Sequence, residues 1–175
     1  PHLYKDGEVI PEEGFDTKDY NDVPLLLVSG TSEFSLFTAF DKRFAAAVSD
    51  GSLFKDENLL KEFTYAETYG SQLYRLSNTV ESARIMSEHY TSPIYISQIS
   101  FGDDGTSAPT VAGLLGAFHG VFEPLLQTPS NYATFIGDDF ESAGAKELSK
   151  DFKAYLKQFV STGDPNGDDL PKWEA

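Results

Sequence analysis

The stretch V23-P-L-L-L-V-S-G-T-S-E33 decides the fold class. It is short, continuously apolar from Val23 to Val28 and closed by Gly30, the pattern of a strand buried on both faces of a parallel sheet. Working outward, S92-P-I-Y-I-S-Q-I-S-F-G102 has the β-branched and aromatic content of a second strand. Between them, Phe34, Phe37, Phe40, Phe44 and Val48 recur every three or four residues, which predicts a helix with that face packed on the sheet. A second helix is expected over Glu67–His89, with Leu73, Leu76, Val80 and Ala83 in line and Arg75, Glu81 and Arg84 turned to water. A third runs from Ala143 to Val160 through Leu148, Phe152, Leu156 and Phe159, stopped by Gly163 and Pro165. Strand, helices, strand, long loop, helix is an α/β order: a small, mostly parallel sheet with helical crossovers.

Composition narrows the function. With 175 residues, 40% hydrophobic and 14% aromatic, the chain can fill one core, so residues 1–175 are read as a single domain. Against 28 Asp+Glu stand 13 Lys+Arg, a formal net charge of -15, which repels phosphate backbones and anionic lipid; neither nucleic acid nor membrane is an expected partner. No apolar run reaches membrane-spanning length, and the start lacks the basic-then-apolar plan of a signal peptide. Cysteine is absent, which excludes disulfides, thiol catalysis and thiolate metal sites. The compartment stays open, a cytoplasmic one favoured and a secreted one possible. The first residue is Pro1 rather than Met, which suggests a piece of a longer protein.

F140-E-S-A-G144 differs by one residue from the G-E-S-A-G nucleophile elbow of serine esterases. An elbow needs a strand before it and a small residue two positions before the serine; here I136-G-D-D precedes, and Phe140 stands where glycine belongs. Asp138 or Ser142 is therefore expected to cap the third helix, with acidic residues in its first turn.

Two residues suit acid–base chemistry better. His119, in L115-G-A-F-H-G-V-F-E-P124, sits in a glycine-rich loop after the second strand, and Glu33 follows the first. Parallel strands place both at the carboxyl edge, where open α/β sheets bind ligands. Each also has a plainer reading, His119 as a loop histidine bonded to backbone and Glu33 as the cap of the helix that Phe34 opens. Acid before histidine is the chain order of the α/β hydrolases, whose serine precedes both.

Taken in order, Y4-K-D-G-E-V-I-P11, the strand with its acid, Y69-G-S-Q-L-Y-R-L-S-N78, S92-P-I-Y-I-S-Q98, G116-A-F-H-G120, F152-K-A-Y-L-K-Q-F-V-S-T-G-D-P-N166 and L170-P-K-W173 resemble the C-terminal portion of the type-B carboxylesterases, the group that includes the cholinesterases. The resemblance implies the C-terminal part of an α/β-hydrolase fold. It also implies a Ser-His-Glu triad with His119 as general base and Glu33 as acid, small neutral carboxylic esters as substrates, and no cofactor. The nucleophilic serine and oxyanion loop belong to an N-terminal half not present here, which becomes the expected partner; a sheet cut this way exposes an edge through which a homodimer is also expected. One departure concerns Glu123: the family often has an acid two positions after the HG pair, and here it comes one later, so a supporting role for Glu123 does not carry over. The alternative function within the family is a non-catalytic, esterase-like adhesion module.

No metal site is expected. D164-P-N-G-D-D169 opens like a calcium loop, but Asp169 stands where glycine is needed and Ala175 where a bidentate Glu is needed. His2 and His89 have no partner at ligand spacing.

Overall fold

The structure, a computed structural model, describes residues 4–14, 21–101, 111–127, 131–132 and 139–173. Strand β1 (Leu25–Gly30) pairs in parallel with β2 (Ile94–Ile99), Leu25 opposite Ile94 and Gly30 opposite Ile99. Between them lie α1 (Ser35–Phe40), α2 (Ala45–Ser49), α3 (Glu57–Arg75) and α4 (Glu81–Ser87); after β2 come α5 (Val111–Leu115), α6 (Phe122–Leu126) and α7 (Ala143–Thr162). The chain is thus mixed α/β, with a two-stranded parallel sheet among the described residues.

The core gathers at the carboxyl end of the sheet. Leu53, Phe63, Leu115, Phe118 and Leu125 are fully enclosed, and Phe44 meets Phe63 edge-on at 5.4 Å. From the strands, only Ile99 and the half-buried Val28 join this cluster. Leu25 to Val28 are half-buried, not closed over on both faces as expected, because β1 has a single paired neighbour among the described residues.

Local polar groups explain where helices start and stop. The helix expected from the phenylalanine spacing is two: Asp41, extended at φ -64° and ψ 140°, ends α1, and its carboxylate accepts from the Arg43 N–H to turn the chain into α2. The break separates the aromatic stripe. Phe44 and Val48 enter the core, while Phe34, Phe37 and Phe40 are partly or largely exposed and α1 packs on α3 and α5 instead of the sheet. The second helix begins ten residues earlier than expected, at Glu57, because Asp56 caps it by accepting from Asn58 and Leu59. Leu76–Val80 forms a π turn between α3 and α4. Its extra residue per turn puts the residues after it out of line with those before it: Leu73 and Leu76 lie exposed while Ala83 is buried and Val80 half-buried.

Helix α7 is capped by Ser142, whose Oγ accepts from the Ala145 N–H at 3.2 Å, and ends on Gly163 at φ 79°. Its first turn holds no acidic residue: Asp139 and Glu141 belong to the turn before it, and Asp138 lies outside the described residues. Phe152 and Tyr155 are buried and Phe159 meets Tyr95 of β2, but Val160, one step further round the helix, is exposed.

At the amino end of the sheet, the Asp22 carboxylate accepts from the Thr91 hydroxyl and N–H and from the Ser92 N–H, joining the approach to β1 with the approach to β2. These bonds, the Thr91 hydroxyl first, hold its pKa at about 2, below its ordinary 3.8. A depressed carboxylate stabilises the fold above its unfolded pKa and loses that contribution as pH falls through the folded value. Asp22→Asn is therefore expected to lower the thermal midpoint at pH 7. The gap to the parent should close as pH falls from about 4 to about 2; a gap unchanged over that range would show that the charge contributes nothing.

Candidate functional site

Two backbone bonds and one serine hydroxyl join the two ends of the site. The Thr31 N–H bonds the Ile99 carbonyl at 2.9 Å, the Ser32 N–H bonds the Ala117 carbonyl at 3.1 Å, and the Ser35 hydroxyl donates to the Leu115 carbonyl at 2.6 Å. The turn after β1 and the segment before His119 are thereby laid side by side. His119 stands in the turn between α5 and α6, flanked by Gly116 at φ 52° and Gly120 at φ 93°. Both conformations suit glycine, and at Gly120 a Cβ would also strike the Tyr132 hydroxyl at 2.5 Å.

Glu33 and His119 meet there. Oε2 of Glu33 lies 2.8 Å from His119 Nδ1, and Oε1 accepts from the Gly30 N–H at 2.5 Å. A carboxylate bound this way only accepts, so Nδ1 carries the ring proton and the second nitrogen, Nε2, is left as the basic one. The Glu33 side chain is 8% exposed and that of His119 44%, an enclosed acid behind an accessible ring.

Strand geometry fixes the side on which this happens. Leu25 and Thr31 turn their N–H groups to β2, so the alternate residues Leu26, Val28 and Gly30 turn theirs to the opposite edge. Gly30 is the one held by Glu33, which puts the pair on the edge of β1 away from β2. An open cleft of about 280 Å³ follows that edge, from Leu26 to Ser29, and ends at Glu33, His119 and Tyr74. Within it the Ser29 Oγ is buried with no hydrogen-bond partner among the described residues.

The other candidates fall elsewhere. Glu123 accepts from the Asn131 N–H at 3.3 Å. Asp164 accepts from Asn166, which in turn is doubly bonded to the Trp173 backbone, so D164-P-N166 is a turn that seats Trp173 against Tyr155. His89 is exposed beyond α4, His2 lies outside the described residues, and no cluster of metal-ligating side chains occurs among the described residues. No described helix is long and apolar enough to cross a membrane.

Two aromatic residues complete the site: Phe37, expected from its spacing to pack on the sheet, and Tyr74, to which the sequence assigned no role at the histidine. The Phe37 and Tyr74 rings lie 5.3 and 5.4 Å from the His119 ring. The signal for them was Gly70-Ser71 in the middle of α3: a glycine inside a helix marks a close approach, one turn before Tyr74. No family model matches the chain, and no curated protein matches it.

Proposed function

We propose that this chain is the C-terminal portion, a single domain, of an α/β-hydrolase-fold serine carboxylesterase of type B. In this reading it supplies the histidine and acid of a Ser-His-Glu triad that hydrolyses small neutral carboxylic esters. The observation that carries the reading is the Glu33–His119 pair, with the acid enclosed, its second oxygen held by the Gly30 N–H and the ring accessible. A binding module has no chemical need for that arrangement.

In the proposed reaction, His119 Nε2 takes the proton of a serine hydroxyl as its oxygen attacks the ester carbonyl. The same proton passes to the departing alcohol as the tetrahedral centre collapses to an acyl-serine. Water repeats the sequence, releasing the acid and restoring the serine. Glu33 keeps the proton on Nδ1 and stabilises the imidazolium formed in between. The serine would come from an element that continues the sheet along the edge of β1 away from β2, since the pair sits on that side. The same edge would pair with a second copy where that element is not supplied. Ser142 is not a candidate: its oxygen is engaged at the start of α7.

The test is hydrolysis of p-nitrophenyl acetate and butyrate. The 175-residue chain alone is expected to give only background, unchanged in Ser142→Ala and His119→Ala. Saturable turnover is expected once a folded, serine-bearing N-terminal half is added, and should vanish with His119→Ala. Turnover by the chain alone that disappears in Ser142→Ala would make F140-E-S-A-G144 the elbow after all. A complemented sample without turnover would sink the esterase.

A further inference from the structure

We propose that Tyr74 and Phe37 are positioning residues for His119: two aromatic walls that keep the ring turned onto Glu33. The inference deepens the reading of His119 as a base and rests on it for its functional meaning, though not for its geometry.

A 2.8 Å hydrogen bond through Nδ1 fixes one point of the imidazole and leaves rotation about its side-chain torsions. The ring is 44% exposed, so enclosure by the core does not stop that rotation. Contact with other rings does. Tyr74 meets the imidazole edge-on, its plane at 70°, while Phe37 lies tilted at 35°; the two also touch each other, with centroids 6.2 Å apart. Three rings in mutual contact form a corner, and the imidazole can leave it only by breaking two contacts at once.

The corner is itself anchored. Phe37 packs on Phe34 at 5.3 Å. The Phe34 N–H donates to the buried Ser71 Oγ at 2.9 Å, and the Phe34 ring lies so close to α3 that a Cβ on Gly70 would come within 2.4 Å of it. Gly70 and Ser71 therefore dock the turn that carries Glu33 onto α3, and one helical turn later the same helix delivers Tyr74 to the histidine. The acid, the ring and the wall are held by one helix.

The experiment reads the Nδ1–H of His119 in the isotope-labelled 175-residue chain, by ring ¹⁵N–¹H correlation and by the exchange rate of that proton with solvent. An aromatic contact shifts an equilibrium by roughly three- to tenfold. Exchange is therefore expected to quicken by about that factor in Tyr74→Leu, and again in Phe37→Leu, while Tyr74→Phe keeps the parent rate because the ring and not the hydroxyl makes the contact. A structural role alone would lower the melting temperature without moving the tautomer or the exchange rate. Folded Tyr74→Leu with the parent rate overturns the proposal; if that variant does not fold, Phe37→Leu is read in the same way. The outcome is separable from the esterase reading. A held ring in a complex that never turns over ester keeps this inference and sinks the enzyme, whereas turnover with the parent exchange rate in Tyr74→Leu does the reverse.

Discussion

Glu33→Gln is expected to destabilise the chain by about 1–3 kcal/mol and, once the serine-bearing half is supplied, to lower ester turnover roughly 10⁴-fold. The reason is a mismatch of donors. Both oxygens of Glu33 accept, one from the Gly30 N–H and the other from His119 Nδ1. Glutamine has nearly the same shape but a single oxygen, and its amide nitrogen only donates. With the amide nitrogen toward Gly30, donor faces donor; with it toward His119, the clash is relieved only by moving the ring proton off Nδ1. If Gly30 loses its acceptor, a buried N–H at the end of β1 goes unsatisfied; if His119 does, the proton moves to Nε2 and the basic nitrogen points at the wrong neighbour. Denaturant titration of the chain reads the first effect, and kcat of the complemented enzyme the second. Turnover within tenfold of the parent would remove Glu33 from the triad.

This pair was legible in the sequence for a topological reason. A parallel pair of strands puts both carboxyl ends on one edge, so strand direction, together with the acid-before-histidine order, brings two residues 86 apart to the same end of the sheet. Helix α7 was legible because its signals are local, with Ser142 before it and Gly163 after. What the residue spacing hid was any break in period. Asp41 is one polar residue in an aromatic stripe, and nothing in the spacing tells that its carboxylate will turn the chain between α1 and α2. The π turn at Leu76–Val80 shifts the register of a helix whose apolar residues still read in line. That shift is also why Tyr74 was overlooked. A 3.6-residue stripe through Leu73 and Leu76 points at the exposed side of α3, and the ring that reaches the histidine is the neighbour in between.

Gly30→Ala is expected to destabilise the chain by about 3 kcal/mol, the upper end of what inserting one methyl into a packed site usually does. Space is the cause. Gly30 is not among the glycines with positive φ, so alanine meets no backbone penalty there. Its Cβ, however, would lie 2.1 Å from the Ala117 carbonyl oxygen and 3.0 Å from the carbonyl carbon, and a backbone carbonyl cannot swing aside as a side chain can. That oxygen is also the acceptor for the Ser32 N–H. Moving it breaks the bond that lays the turn after β1 against the histidine segment, and His119 is two residues further on. Gly144→Ala is the control, since nothing lies within 4 Å of a Cβ in that position, and in a helix alanine is favoured over glycine by up to about 1 kcal/mol. Denaturant midpoints for the two variants should therefore move in opposite directions from the parent. In Gly30→Ala the solvent exchange of the His119 ring proton should quicken along with the loss of stability, because the displaced carbonyl carries the ring away from Glu33. A Gly30→Ala chain as stable as the parent would mean that the β1 end and the histidine turn are not in contact, and the site built on that contact would fall with it.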